Sequence, residues 1–148
     1  LVVATSRLKF VFDECLSEKI ANTLDHCGKR LVPPISVSYV SSKEKAVEDT
    51  TWMPARGLDG FIIVSRDRAM INDHDIAKFA KEHKLIVLLL DQRVARQHRW
   101  QMLRWFATFW PKVAYAAMNY APGSTWIISH DGRQRVVPPD RKIPIEES

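Results

Sequence analysis

The residues best suited to chemistry in this sequence are acids that follow apolar runs. KFVFDECL, Lys9 to Leu16, runs apolar to Phe12 and then presents Asp13 and Glu14. GFIIVSRD ends on Asp67, and LIVLLLD ends on Asp91. Asp commonly follows a strand because it makes turns and helix caps, and taken singly each acid has that reading. In an open parallel sheet, however, ligands bind outside the carboxyl ends of the strands, so acids at those ends converge on one edge. Carboxylates at close range repel unless protons or a cation compensate them. A donor set of oxygens, without Cys or His, suits a hard ion, Mg²⁺ or Mn²⁺. Such an ion brings a phosphate and an attacking water together, which is the chemistry of a metal-dependent nuclease.

The elements that must position these acids can be read from periodicity and punctuation. Lys9 to Phe12 predicts a short buried strand. Leu16 to Cys27 predicts a helix stopped by Gly28. ISVSYV, Ile35 to Val40, alternates like a second strand after Pro33-Pro34. Glu44 to Met53 predicts a helix ending at Pro54 and Gly57. Gly60 to Asp67 predicts a strand, a continuous β-branched run followed by a polar turn. Ile71-Asn72-Asp73 then supplies caps for a helix from His74 to His83, and Leu85 to Asp91 is another fully apolar strand. Strands apolar on both faces and alternating with helices predict a mainly parallel α/β sheet. A long helical region follows to Tyr120, with Pro111 as the first residue of its second half. TWIISHDGRQRVV predicts a C-terminal hairpin turning at Asp131-Gly132.

At 148 residues, with no internal repeat and no dividing linker, the chain reads as one domain, with flexible ends at 1–8 and 138–148. The formal charge of +5 and pI near 9.4 favour a polyanionic partner without locating it. Cys15 and Cys27, twelve residues apart beside one helix, predict neither a disulfide nor a zinc knuckle, which fits a cytoplasmic protein. No apolar run approaches the ~20 residues that span a bilayer, and the first residues carry no signal-peptide pattern. Ser/His/Asp constellations, P-loop glycines and GxGxxG are absent from the sequence.

Two further surfaces invite a binding role. Arg93, Arg96 and Arg99 recur every third residue, with Arg104 beyond, and on one helix they would line a phosphate backbone or form an ordinary solvated face. In WQMLRWFATFWPKVAYAAMNY, one stripe (Trp100, Leu103, Phe106, Ala107, Trp110) predicts core. A second stripe, Met102, Trp105 and Phe109, is either buried in the monomer or a protein interface. The regular spacing of these aromatics argues against base stacking. Asn72-Asp73-His74-Asp75 reads as a capping turn rather than a metal site.

FDECLSEKIANTL, EDTTW, GFIIVSRDR and LIVLLLD together resemble the PIN-like toxins of VapBC-type toxin–antitoxin systems. The resemblance implies a three-layer α/β/α sandwich with acids around one or two divalent ions, Mg²⁺ or Mn²⁺, that cleaves RNA. It implies a cognate antitoxin as partner and leaves room for a homodimer, with Met102, Trp105 and Phe109 as the interface. By position, Asp13, Asp49 and Asp67 match the catalytic acids, with Glu14 and Asp91 as supplementary metal ligands. Arg66 and Arg68 flank Asp67 and join Arg93, Arg96 and Arg99 as RNA contacts. The departure lies at Glu48-Asp49, where the acidic run is short and either acid could face the metal. A site short of one acid would leave a module that binds without cutting.

Overall fold

The computed structural model describes residues 8–31 and 34–140. The expected flexible ends lie outside the described residues except for Leu8 and 138–140. Six strands, β1 (Leu8–Phe12), β2 (Ile35–Tyr39), β3 (Phe61–Arg66), β4 (Val87–Leu90), β5 (Thr125–Ile128) and β6 (Gln134–Val136), form one sheet. Their order is β2-β1-β3-β4-β5-β6, parallel except for the final antiparallel pair. The predicted hairpin is present, with Gly132 at φ +83 in its turn, and its first strand extends the parallel sheet beside β4.

Successive strand residues point to opposite faces, and each face buries its own core. Phe10, Phe12, Ile62, Val64, Leu88, Leu90 and Ile128 pack against α1 (Glu18–Gly28) and α6 (Arg99–Ala117). Val11, Ile63, Val87, Leu89 and Ile127 pack against α3 (Asp49–Leu58) and α4 (Met70–His83). The result is three layers, helix on sheet on helix. Because α1 leaves β1 on one face and α4 leaves β3 on the other, the connections diverge between these neighbouring strands. That is the topological switch point, where a crevice opens at the strand ends.

The helices correct the sequence reading in four places. The predicted helix over Glu44 to Met53 is two helices, α2 (Ser42–Lys45) and α3. Pro54 and Gly57 lie inside α3 rather than ending it. Pro54 forfeits one backbone bond, which burial of Trp52 and Met53 offsets. Gly57 is there for close packing: a Cβ would stand 2.2 Å from Leu85 Cδ2. The helix ends instead at Leu58, just ahead of Gly60 at φ +82. The helix expected from His74 starts at Met70, so Asn72 and Asp73 sit within its first turns rather than ahead of it. The region after Asp91 is divided into α5 (Gln92–Ala95) and α6, and Pro111 lies inside α6 without starting a new helix.

The aromatic faces of α6 are also reassigned. Met102 and Trp105, which the sequence left between burial in the monomer and a partner interface, are buried, and the Trp105 indole N–H donates to the carbonyl of His130 at 2.8 Å. Phe109 is half-buried, its ring tilted against Trp105 and covering Gly132, where a Cβ would meet it at 2.6 Å. The continuous seam runs Met102, Phe106, Trp110, Val113, Ala117. At 100° per residue, Trp100 and Ala107 fall on the far side of that seam, and both are exposed, Trp100 at 78%.

One ion pair fastens the short α2 to α3. Glu44 closes a capping box with Ser41 and accepts two bonds of 2.7 Å from the Arg56 guanidinium. The bonds from Arg56 hold Glu44 down to about 2. Its folded-state pKa is depressed, so its stabilisation is present above the ordinary carboxylate range and is lost as pH falls toward 2. Glu44→Gln should destabilise the protein by about 1–2 kcal/mol in urea unfolding at pH 7 and by much less at pH 2.5.

Candidate functional site

The strand ends are tied together by the backbone of the acids themselves. The amide of Asp13 donates to Val64 O, that of Asp67 to Leu90 O and that of Asp91 to Ile128 O, at 2.9, 2.8 and 3.0 Å. Each acid therefore continues the ladder one residue past its strand, at the carboxyl edge of the sheet. From there their side chains go to different partners.

Asp13 is 2% exposed, between β1 and β3. Its Oδ1 accepts the Glu14 amide at 2.7 Å, and its Oδ2 accepts from the Ser65 hydroxyl at 3.0 Å and the Arg68 guanidinium at 3.2 Å. The Cys15 thiol lies 3.8 Å from the same oxygen and 3.5 Å from Ser65 Oγ. Burial, opposed by the Ser65 bond and reinforced by the Asp13 charge, pushes that thiol up and keeps it a neutral donor. Asp49, the first residue of α3, enters from the opposite side. Its Oδ1 accepts the Trp52 indole N–H at 2.9 Å, and its Oδ2 stands 3.8 Å from the same Arg68 nitrogen. Arg68 thus spans Asp13 and Asp49. Between the two acids that the sequence left open, Asp49 is the one that reaches this centre, while Glu48 is the exposed N-cap residue of α3.

Asp67 bends back to accept the Ala69 amide at 3.0 Å. Ala69 takes φ 81, ψ 151, a region almost reserved for glycine, so the turn after β3 carries backbone strain of about 1–3 kcal/mol. Asp67 pairs with Asp73, an acid the sequence reading absorbed into a capping turn. Asp73 is 1% exposed; its Oδ1 accepts the Arg68 amide at 3.1 Å, while its Oδ2 finds no donor. Two carboxyls can face each other only if one holds a proton. Burial first, and then Asp67, push Asp73 up to about 7.

Glu14 is exposed and joins the centre only through its amide, and Tyr39 OH donates to its carbonyl. Asp91 serves as the N-cap of α5, accepting the Arg93 amide at 2.9 Å, and is not drawn to the others. The arginine stripe does not form on one helix: Arg93 is on α5, Arg96 is its C-cap, and Arg99 opens α6. Arg66 ends β3 exposed.

Among the described residues, no three His, Cys, Asp or Glu side chains stand close enough to hold a metal ion. The donor chemistry nonetheless fits a hard divalent cation. Asp13 and Asp49 converge on a single positive charge, and the Asp73 carboxyl, buried near Asp67, keeps one oxygen without a donor. A cation could neutralise the first pair and satisfy that oxygen.

The chain is a doubly wound α/β domain with four carboxylates beside its switch point, the edge at which folds of this class bind ligands. Residues 8–92, from β1 through the end of β4 and including all of those acids, match the PIN like domain family, and the chain belongs to it. No curated protein and no solved structure matches the chain.

Asp73 gives a stability signature. Its folded pKa is raised, so the folded state holds a proton that the unfolded chain has released above about 4. Stability should therefore fall as pH rises from about 4 to 7 and level off above. Asp73→Asn keeps an acceptor for the Arg68 amide and removes the repulsion. Thermal melts of this variant should show a higher Tm at pH 8 than wild type and a flatter profile between pH 4 and 7; an unchanged slope would mean the pair holds no proton.

Proposed function

We propose that this chain is a divalent-cation-dependent nuclease that hydrolyses RNA at the β1–β3 crevice. The observation that carries the reading is the convergence of Asp13 and Asp49 on Arg68 beside the Asp67–Asp73 pair, within a fold family associated with nucleases. Asp13, Asp49 and Asp67 would hold Mg²⁺ or Mn²⁺, with Asp73 behind them. When bound, such an ion supplies a water acidic enough to attack at neutral pH and neutralises charge on the phosphate. Ser65 and the Glu14 amide keep the buried Asp13 carboxylate oriented without any rearrangement at the moment of reaction. Arg68, 38% exposed, is free to exchange its carboxylates for a phosphate, which its planar fork suits.

The finer reading, a toxin restrained by a cognate antitoxin, is supported by the resemblance of FDECLSEKIANTL and GFIIVSRDR to that branch. Met102 and Trp105 are excluded as its docking anchors by their burial. One observation favours a second reading, a module that binds without cutting: Arg68 itself neutralises the carboxylates a metal would need.

Incubation of the purified chain with single-stranded RNA separates the two. Under the nuclease reading, Mn²⁺ or Mg²⁺ supports cleavage and EDTA stops it. Asp49→Asn, a half-exposed position that the fold tolerates, should lower the rate by at least a hundredfold, and Asp13→Asn should do the same. Equal trace rates in wild type and both variants would leave only the binding reading. Growth arrest on expression, relieved by a co-expressed neighbouring gene product, would test the toxin proposal.

A further inference from the structure

An open groove of about 820 Å³ runs between the start of α1 and the start of α6, walled by Cys15, Lys19, His98, Arg99 and Trp100. We propose that it is the path of a single RNA strand into the crevice, with Trp100 as a base-stacking platform and Lys19 and Arg99 as phosphate contacts. The proposal rests on the nuclease reading and names how its substrate is held.

Four observations point to this occupant. Trp100 is the most exposed of the five tryptophans, 78% accessible in the first turn of α6, whereas Trp52, Trp105 and Trp110 are buried. A large aromatic left in water beside cations is the arrangement by which proteins hold unpaired bases, since every base has a π-face and the backbone follows the charges. The charge on the walls has one dominant sign: Lys19, Arg99 and the titratable His98 face a single acid, Glu18. Two helices of 11 and 19 residues begin at this groove, at Ser17 and His98, adding the positive ends of their dipoles to those side chains. The groove lies beside one of the carboxylates. Cys15 forms part of its wall, and its thiol is 3.8 Å from Asp13 Oδ2. Regular helical spacing had argued against stacking for these aromatics; for Trp100 the direction of the side chain, away from the seam, reverses that.

Binding measured in EDTA, where no cutting occurs, tests the groove separately from catalysis. Fluorescence anisotropy should show a labelled single-stranded oligouridylate bound more tightly than an RNA duplex of equal length. Trp100→Ala should weaken the single strand roughly tenfold, and Trp100→Phe should restore most of the loss. Lys19→Ala with Arg99→Ala should lower the slope of log K against log salt by about 1.4, at about 0.7 per phosphate contact. If wild type cuts RNA while Trp100→Ala binds it as tightly, the groove is not the path and the nuclease reading survives. If the tryptophan variant loses binding but wild type cuts nothing with any divalent ion, the groove stands and the nuclease reading falls. Duplex bound as well as single strand overturns the groove's specificity.

Discussion

A carboxylate at 2% exposure has to be surrounded by donors, because an isolated buried charge costs several kcal/mol. Asp13 meets that demand with a backbone amide, a hydroxyl and a guanidinium drawn from three segments: its own loop, β3 and the turn after β3. The demand fixes much else. Ser65, one residue before the end of β3, must turn its hydroxyl to Asp13, and Arg68 must fold back over the strand end. That return leaves the Arg68 amide facing Asp73, and it forces Ala69 into a conformation that an alanine adopts only under constraint. The strained turn, the buried acid of α4 and the approach of α3 through Asp49 all follow from one buried charge.

The sheet order makes this arrangement accessible. With β1 and β3 adjacent, their connections leave on opposite faces, and the edge between them is the place where folds of this kind bind ligands. The groups at that edge are already oriented by the fold. The acids are compensated by different means: a guanidinium sits between Asp13 and Asp49, while burial and Asp67 raise the pKa of Asp73.

Much of the sheet was legible in the sequence because β1, β3 and β4 are buried on both faces and leave continuous apolar runs ending in acid. The break between α2 and α3 was not, because Pro54 and Gly57 normally end helices and here one is tolerated and the other serves packing against Leu85. The burial of α6 was misread for a different reason. Its aromatics are dense enough to satisfy two stripes by periodicity, and only the hairpin turn at His130 to Gly132 decides that Trp105 and Phe109 face inward. Asp13, Asp49 and Asp67 could be named from their positions, yet Asp73 could not, since a capping turn explained it locally. The role of Arg68 was also beyond the sequence, because it depends on Asp13 and Asp49, 36 residues apart in the chain, meeting at one nitrogen.

The central claim is that Arg68 holds carboxylates that a divalent cation can take. Crystals soaked in Mn²⁺, with data collected at the manganese edge, address it directly. The account predicts an anomalous peak bound to the Asp13 carboxylate, with the Arg68 guanidinium displaced from it. Saturating Mn²⁺ that leaves no peak at the crevice, and Arg68 still on Asp13, would contradict it.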